Sequence, residues 1–223
     1  GIPGNARFVC LLVRDSGYLD RHKENEPYER WSYHSYRDGD IDKYVLAAEE
    51  LAKRGYYVFR MGVNVLKPLK SSNPKVIDYA NLKIRSDFMD IYLGAKCRFC
   101  ISTLAGFDEI PVIFRKPIAY TGHVPIAVID THNKETLILT KHHINKRNQK
   151  ELTVSEIFSS NVAVSLDGNE FKQNDVFTKI DKNGQTIMKI PSEIMAIKDW
   201  KEGDKVKISI GDQGTIIIEQ MVD

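Results

Sequence analysis

Two polar segments each follow an apolar run, and their residue types suit the binding of an anion. The first comes after residues 8–13 (FVCLLV), where Arg14 and Asp15 stand beside Ser16 and Gly17. An arginine just beyond a buried strand can donate paired hydrogen bonds to a phosphate group, and a small turn beside it leaves room for one. A local ion pair between Arg14 and Asp15 accounts for the same residues equally well, so both interpretations stay open.

The second segment combines two hydroxyls with a glycine where a helix is predicted to begin. Ser102 and Thr103 end an apolar run, and Gly106 and Phe107 follow them. Backbone N–H groups at a helix N-terminus, together with hydroxyls, can hold a diphosphate without a lysine. The same residue types also cap helices for structural reasons, which is the simpler interpretation of this segment taken by itself.

Arg85 is a third candidate because of its position along the chain. It precedes Ser86 and Asp87, one of which is predicted to cap a helix. The helix dipole disfavours a cation at this end unless an anion lies nearby, so Arg85 is a candidate ligand. The alternative is an ion pair of Arg85 with Asp87 or Asp78.

The polar and aromatic residues 18–38 show no clean period and predict a long loop. Long loops in compact domains are usually functional or disordered, and the aromatic residues Tyr28, Trp31, Tyr33 and Tyr36 favour an ordered one. His34 and Asp38 lie in this loop and are a candidate acid/base pair.

Several common sites are excluded by the sequence. It contains no P-loop, no Gly-x-Gly-x-x-Gly and no Gly-x-Ser-x-Gly motif, which disfavours a P-loop NTPase, a dinucleotide oxidoreductase and a serine hydrolase. The adjacent His142 and His143 predict a solvated basic segment rather than a metal site. The cysteines, Cys10, Cys97 and Cys100, are interpreted as buried strand thiols in a reducing compartment.

Composition favours a globular protein with at least one conventional core. The 223 residues are 42% hydrophobic and carry a net charge of +2, which suits a small anionic ligand without requiring one. No apolar stretch approaches the length of a membrane span and no signal peptide is visible, so a cytoplasmic location is the expectation. The chain begins at Gly1, and we expect sequence upstream to be missing.

The pattern of elements predicts an α/β fold with an open, mostly parallel sheet. After the first strand and the loop, a helix is predicted from Asp40 to Gly55, and residues 56–61 form the next strand. A second helix follows Ser86, with an inner face predicted to consist of Phe88, Ile91, Tyr92 and Ala95. Strands at residues 97–102 and 118–120 complete the alternation.

The last part of the chain has a different pattern of predicted elements, with mostly strands. Residues 176–190 predict a hairpin around Asn183-Gly184, residues 192–199 a short helix, and residues 206–210 and 215–219 two more strands. We therefore divide the chain into a Rossmann-like domain at 1–160, a linker at 161–174 and a β-hairpin module at 175–223.

Several motifs, in this order, resemble a family of bacterial glycosyltransferases associated with surface-polysaccharide genes. They are residues 33–38 (YHSYRD), 54–62 (RGYYVFRMG), 77–80 (IDYA), 85–97 (RSDFMDIYLGAKC) and 101–103 (IST). The resemblance covers residues 5–160 and implies the donor-binding half of a GT-B fold, in which two Rossmann-like domains face each other across a cleft. In such enzymes the C-terminal domain holds the nucleotide-sugar without a required metal, so no cofactor is expected.

The resemblance also implies which side chains line the donor site. It assigns that role to Arg14, Arg85, Ser86, Asp87, Ser102, Thr103, Gly106 and Phe107. The acceptor-binding half would lie upstream of the present chain. A general base would come from that missing half, or from Asp15 or His34 in this one.

From about residue 175 the chain departs from that family and resembles an AbrB-type swapped-hairpin module. Residues 178–185 (TKIDKNGQ), 190–194 (IPSEI) and 200–206 (WKEGDKV) carry this resemblance. It implies a homodimer through residues 175–223. The module has no arginine, which disfavours DNA as its partner, although Lys179, Lys182 and Lys189 remain candidates for phosphate contacts.

Two functions follow from these expectations. The first is transfer of a sugar from a nucleotide-sugar to a surface-polysaccharide acceptor. The alternative is a non-catalytic binding or regulatory protein, in which the C-terminal module dimerises or binds DNA.

Overall fold

The computed structural model describes residues 2–22, 32–129, 135–165, 168–179, 206–210 and 216–220. The chain divides into two compact units, residues 1–187 and residues 188–223. The predicted Asn183-Gly184 turn and the predicted helix at 192–199 lie outside the described residues.

A six-stranded parallel sheet forms the centre of the first unit. Its strand order is β3-β2-β1-β4-β5-β6, so the first strand lies in the interior and the chain winds outward on both sides. The strands are β1 (Phe8–Leu12), β2 (Tyr57–Met61), β3 (Val76–Ile77), β4 (Cys100–Ser102), β5 (Ile118–His123) and β6 (Thr136–Thr140). This arrangement confirms the predicted Rossmann-like α/β fold class.

Helices and 3-10 turns connect the strands. The helices of this unit are α1 (Gly17–His22), α2 (Val45–Lys53), α3 (Asp87–Lys96), α4 (Glu109–Ile113), α5 (Val154–Ser159) and α6 (Gly168–Gln173). Ser86 caps α3 as predicted, since its hydroxyl accepts a hydrogen bond from Met89 N at 3.3 Å. Asp40 caps a 3-10 turn, Ile41–Tyr44, that leads into α2. Residues 18–38, predicted as one loop, include α1 and a 3-10 turn at Ser32–Arg37.

The inner face predicted for α3 is wrong. Phe88 is 71% exposed, and Ile91 and Tyr92 are also exposed, whereas Leu93 and Gly94 are buried. The reason is the close approach of α4, because a Cβ atom at Gly94 would lie only 2.6 Å from Ile110 Cγ2. The helix therefore turns its smallest residue inward and leaves its aromatic residues outside.

The core of the sheet is apolar and includes all three thiols. Cys10, Cys97 and Cys100 are free and buried, as predicted. Burial raises the pKa of the Cys10 and Cys100 thiols well above the ordinary value. These thiols belong to one cluster with Leu12 and Met61.

A buried arginine lies on an interior strand of the sheet. Arg60, on β2, is 0% exposed, and its guanidinium lies 3.5 Å from Asp15 Oδ2 and 3.4 Å from Asp78 Oδ1. Burial lowers the pKa of Arg60, and the two carboxylates oppose that shift. Because Asp78 also accepts a hydrogen bond from Leu69 N at 3.0 Å, the arginine links β2 to two loops.

Two small antiparallel sheets accompany the main one. β7 (His142–Asn145) pairs with β8 (Val176–Lys179), so the start of the segment interpreted as a hairpin module contacts the first unit. Residues 161–174, interpreted as a linker, contain α6 and the buried side chains of Val162 and Phe171. His143, on β7, is 1% exposed, so the prediction that it belongs to a solvated segment is wrong.

In the second unit, β9 (Val206–Ile210) pairs antiparallel with β10 (Ile216–Gln220), as the alternation predicted. None of the helices among the described residues has the length and apolar character needed to cross a bilayer.

Replacing Arg60 with alanine is expected to lower the free energy of unfolding by about 3 kcal/mol, because Asp15 and Asp78 would keep partly buried charges without a cation. Urea denaturation of the wild type and the variant measures this loss. The matched control is Arg54→Ala, which removes an exposed arginine paired with Glu50 and is expected to cost less than about 1 kcal/mol. Equal losses in the two variants would contradict a structural role for the buried cation.

Candidate anion site at the carboxyl end of the sheet

The strand order reverses between β1 and β4, and ligands of open α/β sheets bind in the crevice beyond such a point. Cys10 lies opposite Cys100, and Leu12 lies opposite Ser102. The register therefore brings the ends of these strands together. Both polar segments found in the sequence lie at this reversal.

Direct hydrogen bonds join the two segments. Arg14 N donates to Thr103 Oγ1 at 2.7 Å, and Thr103 N donates to Leu12 O at 3.1 Å. The hydroxyl of Thr103 is buried, and its side chain fixes the backbone direction just beyond β1. The two candidate segments, which are 89 residues apart, therefore form one site.

The guanidinium of Arg14 has a partner other than the one considered from the sequence. Its Nη1 donates to Asp38 Oδ1 at 2.7 Å and to His34 O at 3.0 Å, so the ion pair is with Asp38 rather than with Asp15. Burial lowers the pKa of Arg14 and raises the pKa of Asp38, and in each case the opposite charge of the partner counteracts the shift. Through these contacts Arg14 lies beside the candidate pair His34 and Asp38.

Asp15 holds the neighbouring backbone in place. Its Oδ1 accepts a hydrogen bond from Gly17 N at 2.9 Å, and its Oδ2 accepts one from Leu66 N at 3.1 Å. Its carboxylate also faces the buried Arg60. These contacts give Asp15 a structural role at the start of α1, and they occupy both of its oxygens.

Ser102 and the buried Asp108 hold the turn after β4. Ser102 Oγ donates to Asp108 Oδ2 at 2.8 Å and accepts from Leu104 N at 3.1 Å, while Ala105 N donates to the same carboxylate oxygen at 2.8 Å. Leu104 has a φ of 68°, a left-handed conformation that costs free energy for a bulky residue and is often found at functional sites. The hydroxyl of Ser102 thus acts within the turn, and Thr103 is the residue that faces Arg14.

Gly106 and Phe107 have different surroundings. An added Cβ atom at Gly106 would meet nothing within 4 Å, so the chain is open to a ligand at this point. Phe107 packs against the sheet core, and its ring lies 3.3 Å from where a Cβ atom would be at Gly94. Phe107 therefore positions the turn through packing with α3.

Arg85 contacts α3, the helix that begins two residues after it. Its Nη2 lies 2.7 Å from Asp90 Oδ2 and 3.3 Å from Asp87 Oδ1, so one of the two ion pairs considered from the sequence is present. The side chain of Asp87 is 96% exposed, and Ser86 is the helix cap. The structure joins these three residues at the N-terminus of α3 but shows no contact between them and Arg14 within the described residues.

Two cations that were missed from the sequence lie at the crevice. Arg37 Nη2 donates to Leu104 O at 3.3 Å, and Lys141 Nζ donates to Tyr36 O at 2.7 Å and to Asp38 O at 2.8 Å. Burial lowers the pKa of Lys141 to about 8, although Asp38 opposes the shift. Lys141 is 103 residues from Asp38, so only the fold could show that they meet.

Three further polar residues lie near the crevice: His123, Asp108 and Thr121. His123 is 2% exposed, and burial lowers the pKa of its imidazole to about 4, so it is uncharged at neutral pH. Burial raises the pKa of Asp108 to about 6. Thr121 links β5 to β4 because its hydroxyl donates to Ser102 O at 3.4 Å, and it also bonds the hydroxyl of Tyr44 at 3.0 Å.

Comparisons with protein families, with curated proteins and with solved structures find no significant match to this chain. Among the described residues, no group of three or more histidine, cysteine, aspartate or glutamate side chains is arranged to hold a metal ion.

Asp108→Asn is expected to change how stability depends on pH. Since the folded-state pKa of Asp108 is raised from 3.8 to about 6, its contribution is fully present below pH 3.8 and is lost as the pH rises through 6. The asparagine variant lacks this titration, so its unfolding free energy relative to wild type should rise by up to about 3 kcal/mol across that window.

Chemical denaturation at several pH values between 4 and 7 measures the difference. The histidines His123 and His143 titrate in the same window with the opposite sign, but they are present in both proteins and cancel. A difference that stays constant with pH would show that Asp108 is ionised in the native state throughout.

Proposed function

We propose that the first unit binds a nucleotide diphosphate sugar and is the donor-binding half of a glycosyltransferase acting on a saccharide acceptor. The observation that carries the proposal is the meeting of Arg14 and Thr103 at the strand reversal, beside Arg37 and Lys141. Such a crevice is where doubly wound sheets hold nucleotides. The resemblance in residues 5–160 supports the same class of ligand.

The charges around the crevice suit a diphosphate. Three cations surround Asp38, and that carboxylate is already paired with one of them, Arg14. Asp108 has a raised pKa of about 6, so it is mostly ionised at neutral pH and offsets part of the remaining positive charge. Arg37 is the side chain best placed to bind the diphosphate. Its Nε is buried without a hydrogen-bond partner, and its Nη2 already lies at the turn after β4.

The proposed mechanism is electrostatic. As the bond from the sugar to the diphosphate breaks, negative charge grows on the leaving group, and prearranged cations in a partly dry crevice stabilise it. Arg37 would act directly, while Arg14 would hold Asp38 and share its remaining N–H donors. The open chain at Gly106 leaves space for the phosphates. A base for the acceptor hydroxyl would come from His34, from Asp15 or from the other half of the enzyme; of these, Asp15 already accepts backbone hydrogen bonds from Gly17 and Leu66.

The ligand is tested by calorimetric titration of UDP, GDP and CMP against the protein. One of them is expected to bind at submillimolar concentration, and Arg37→Gln should weaken it by about tenfold or more, because a charge-assisted hydrogen bond contributes about 1.5–3 kcal/mol. Arg54→Gln, on the exposed surface of the same unit, is the matched control.

Arg85→Gln decides how far the donor site extends. A loss of affinity similar to that of Arg37→Gln would place the N-terminus of α3 within the site, as the family resemblance implies. Unchanged affinity would leave Arg85 as a helix-stabilising residue. If no nucleotide binds at millimolar concentration, the donor-site proposal fails.

A second candidate function concerns the second unit. The resemblance of residues 175–223 to a swapped-hairpin module implies pairing with a second chain, and the described residues of this unit include the antiparallel pair of β9 and β10. We therefore propose that residues 188–223 associate with a second copy of the chain, and that the alternative of a regulatory or DNA-binding protein depends on this unit.

Removal of residues 188–223 should convert a dimer to a monomer in light scattering or sedimentation. The cut is placed after Ile187 because β8 pairs with β7 in the first unit, so a cut at residue 175 would damage both. Salt-sensitive binding of duplex DNA that disappears on truncation would favour the regulatory alternative. A full-length monomer would contradict dimerisation through this unit.

A further inference from the structure

A cavity of about 300 Å³ lies in the first unit, on the side of Asp38 formed by β7 and β8. The 3-10 turn at Ser32–Arg37 and the residue after it supply one wall, and α6 and β8 supply another. Ligand pockets in proteins begin at about this volume, so the cavity suits a single sugar ring rather than a whole nucleotide-sugar.

The charged residues of the cavity are mostly lysines. Lys141, Lys146 and Lys172 line it, and Asp38 is the carboxylate among the lining residues. Asp38 is already paired with Arg14 at 2.7 Å. Neither Lys146 nor Lys172 forms an ion pair with any residue in the described part of the chain, so the cavity has an excess of positive charge.

One of these lysines is built into the structure. Lys141 is 6% exposed, and its Nζ donates to Tyr36 O at 2.7 Å and to Asp38 O at 2.8 Å. A lysine ammonium has three N–H donors, so one remains for a ligand. Lys146 and Lys172 are exposed and can close on a ligand from the solvent side.

Aromatic residues form the apolar part of the wall. Tyr36, Phe171 and Phe177 line the cavity, and Tyr36 stacks on Phe171 with their ring centroids 4.7 Å apart. The hydroxyl of Tyr36 donates to Ser165 O at 3.3 Å, which fixes the ring. An apolar wall with a few polar groups at one end is typical of a small-molecule pocket and suits the C–H face of a sugar ring.

We propose that this cavity binds an acidic sugar, with its phosphate or carboxylate against Lys141, Lys146 and Lys172 and its ring against Tyr36 and Phe177. The anionic group is inferred from the lysines alone. The choice of a sugar rests on the proposed function: the acceptor must reach the donor, so the donor-binding half would hold one sugar of the acceptor while the other half holds the rest. Asp38 connects the two sites, because its side chain pairs with Arg14 and its backbone carbonyl accepts a hydrogen bond from Lys141, a residue of the cavity wall.

The test is a two-dimensional NMR titration of the full chain with three probes: glucose 6-phosphate, glucuronate and glucose. At least one of the two charged probes is expected to bind saturably and to shift the amides of Phe177 and Lys172, and glucose should bind about tenfold more weakly or not at all. The charged probe that binds more tightly tells whether phosphate or carboxylate is preferred.

The double variant Lys146→Gln/Lys172→Gln should weaken binding of the charged probe at least about tenfold. Both side chains are exposed, so the fold should be retained. The matched control is Lys150→Gln, an exposed lysine that does not line the cavity and should leave affinity unchanged. Equal binding of glucose, an equal loss in the control, or no saturable shift with either charged probe would overturn the proposal.

A parallel titration with UDP, GDP and CMP separates this inference from the proposed function. Nucleotide affinity should depend on Arg37 and not on Lys146 or Lys172. If a charged sugar binds and no nucleotide does, the acidic-sugar site stands and the donor site fails. If a nucleotide binds and neither charged sugar does, the donor site stands and the cavity proposal is overturned.

Discussion

The ion pair between Arg14 and Asp38 is the interaction on which the carboxyl end of the sheet depends. Every hydrogen-bonding group of the Arg14 backbone is used: its N–H donates to Thr103, and its carbonyl accepts from Gly39 N at 2.8 Å. The guanidinium then binds Asp38 at 2.7 Å. Because both charges are partly buried, neither can lose its partner without a large desolvation cost. One residue thereby joins β1, the turn after β4 and the segment that ends in Gly39.

The same ion pair contributes to both proposed sites. The backbone passes so close to β1 that a Cβ atom at Gly39 would lie 2.9 Å from Val13 Cγ1. Asp38 is therefore held at the end of the sheet, where its side chain pairs with Arg14 and the residue also lines the lysine-lined cavity. A ligand in either place contacts groups that are held by the same ion pair.

Local chemistry explains why much of the fold could be predicted. The apolar runs gave the positions of β1, β2 and β4, Ser86 marked the start of α3, and Gly55 has the left-handed φ of 91° that ends a helix. The orientation of α3 was not predictable, because it depends on how closely Ile110 approaches Gly94. β6 and β7 were missed for a similar reason. Their residues are only partly apolar, and pairing with strands elsewhere in the chain makes them strands.

The residues of the candidate site could also be predicted only in part. Arg14, Ser102 and Thr103 were identified because each follows a recognisable strand, and the topology brings such positions together. Lys141 carried no such signal in the sequence, and its burial between Tyr36 O and Asp38 O is a tertiary effect.

Burial also limits the chemical reactivity of the thiols in the sheet. Only the thiolate reacts with alkylating reagents, and Cys10 and Cys100 are both enclosed and held in the protonated form. Their modification must wait until the centre of the sheet opens. The rate at which these two thiols are alkylated therefore measures how often the centre of the sheet opens, and mass spectrometry can follow it without a substitution in the sequence.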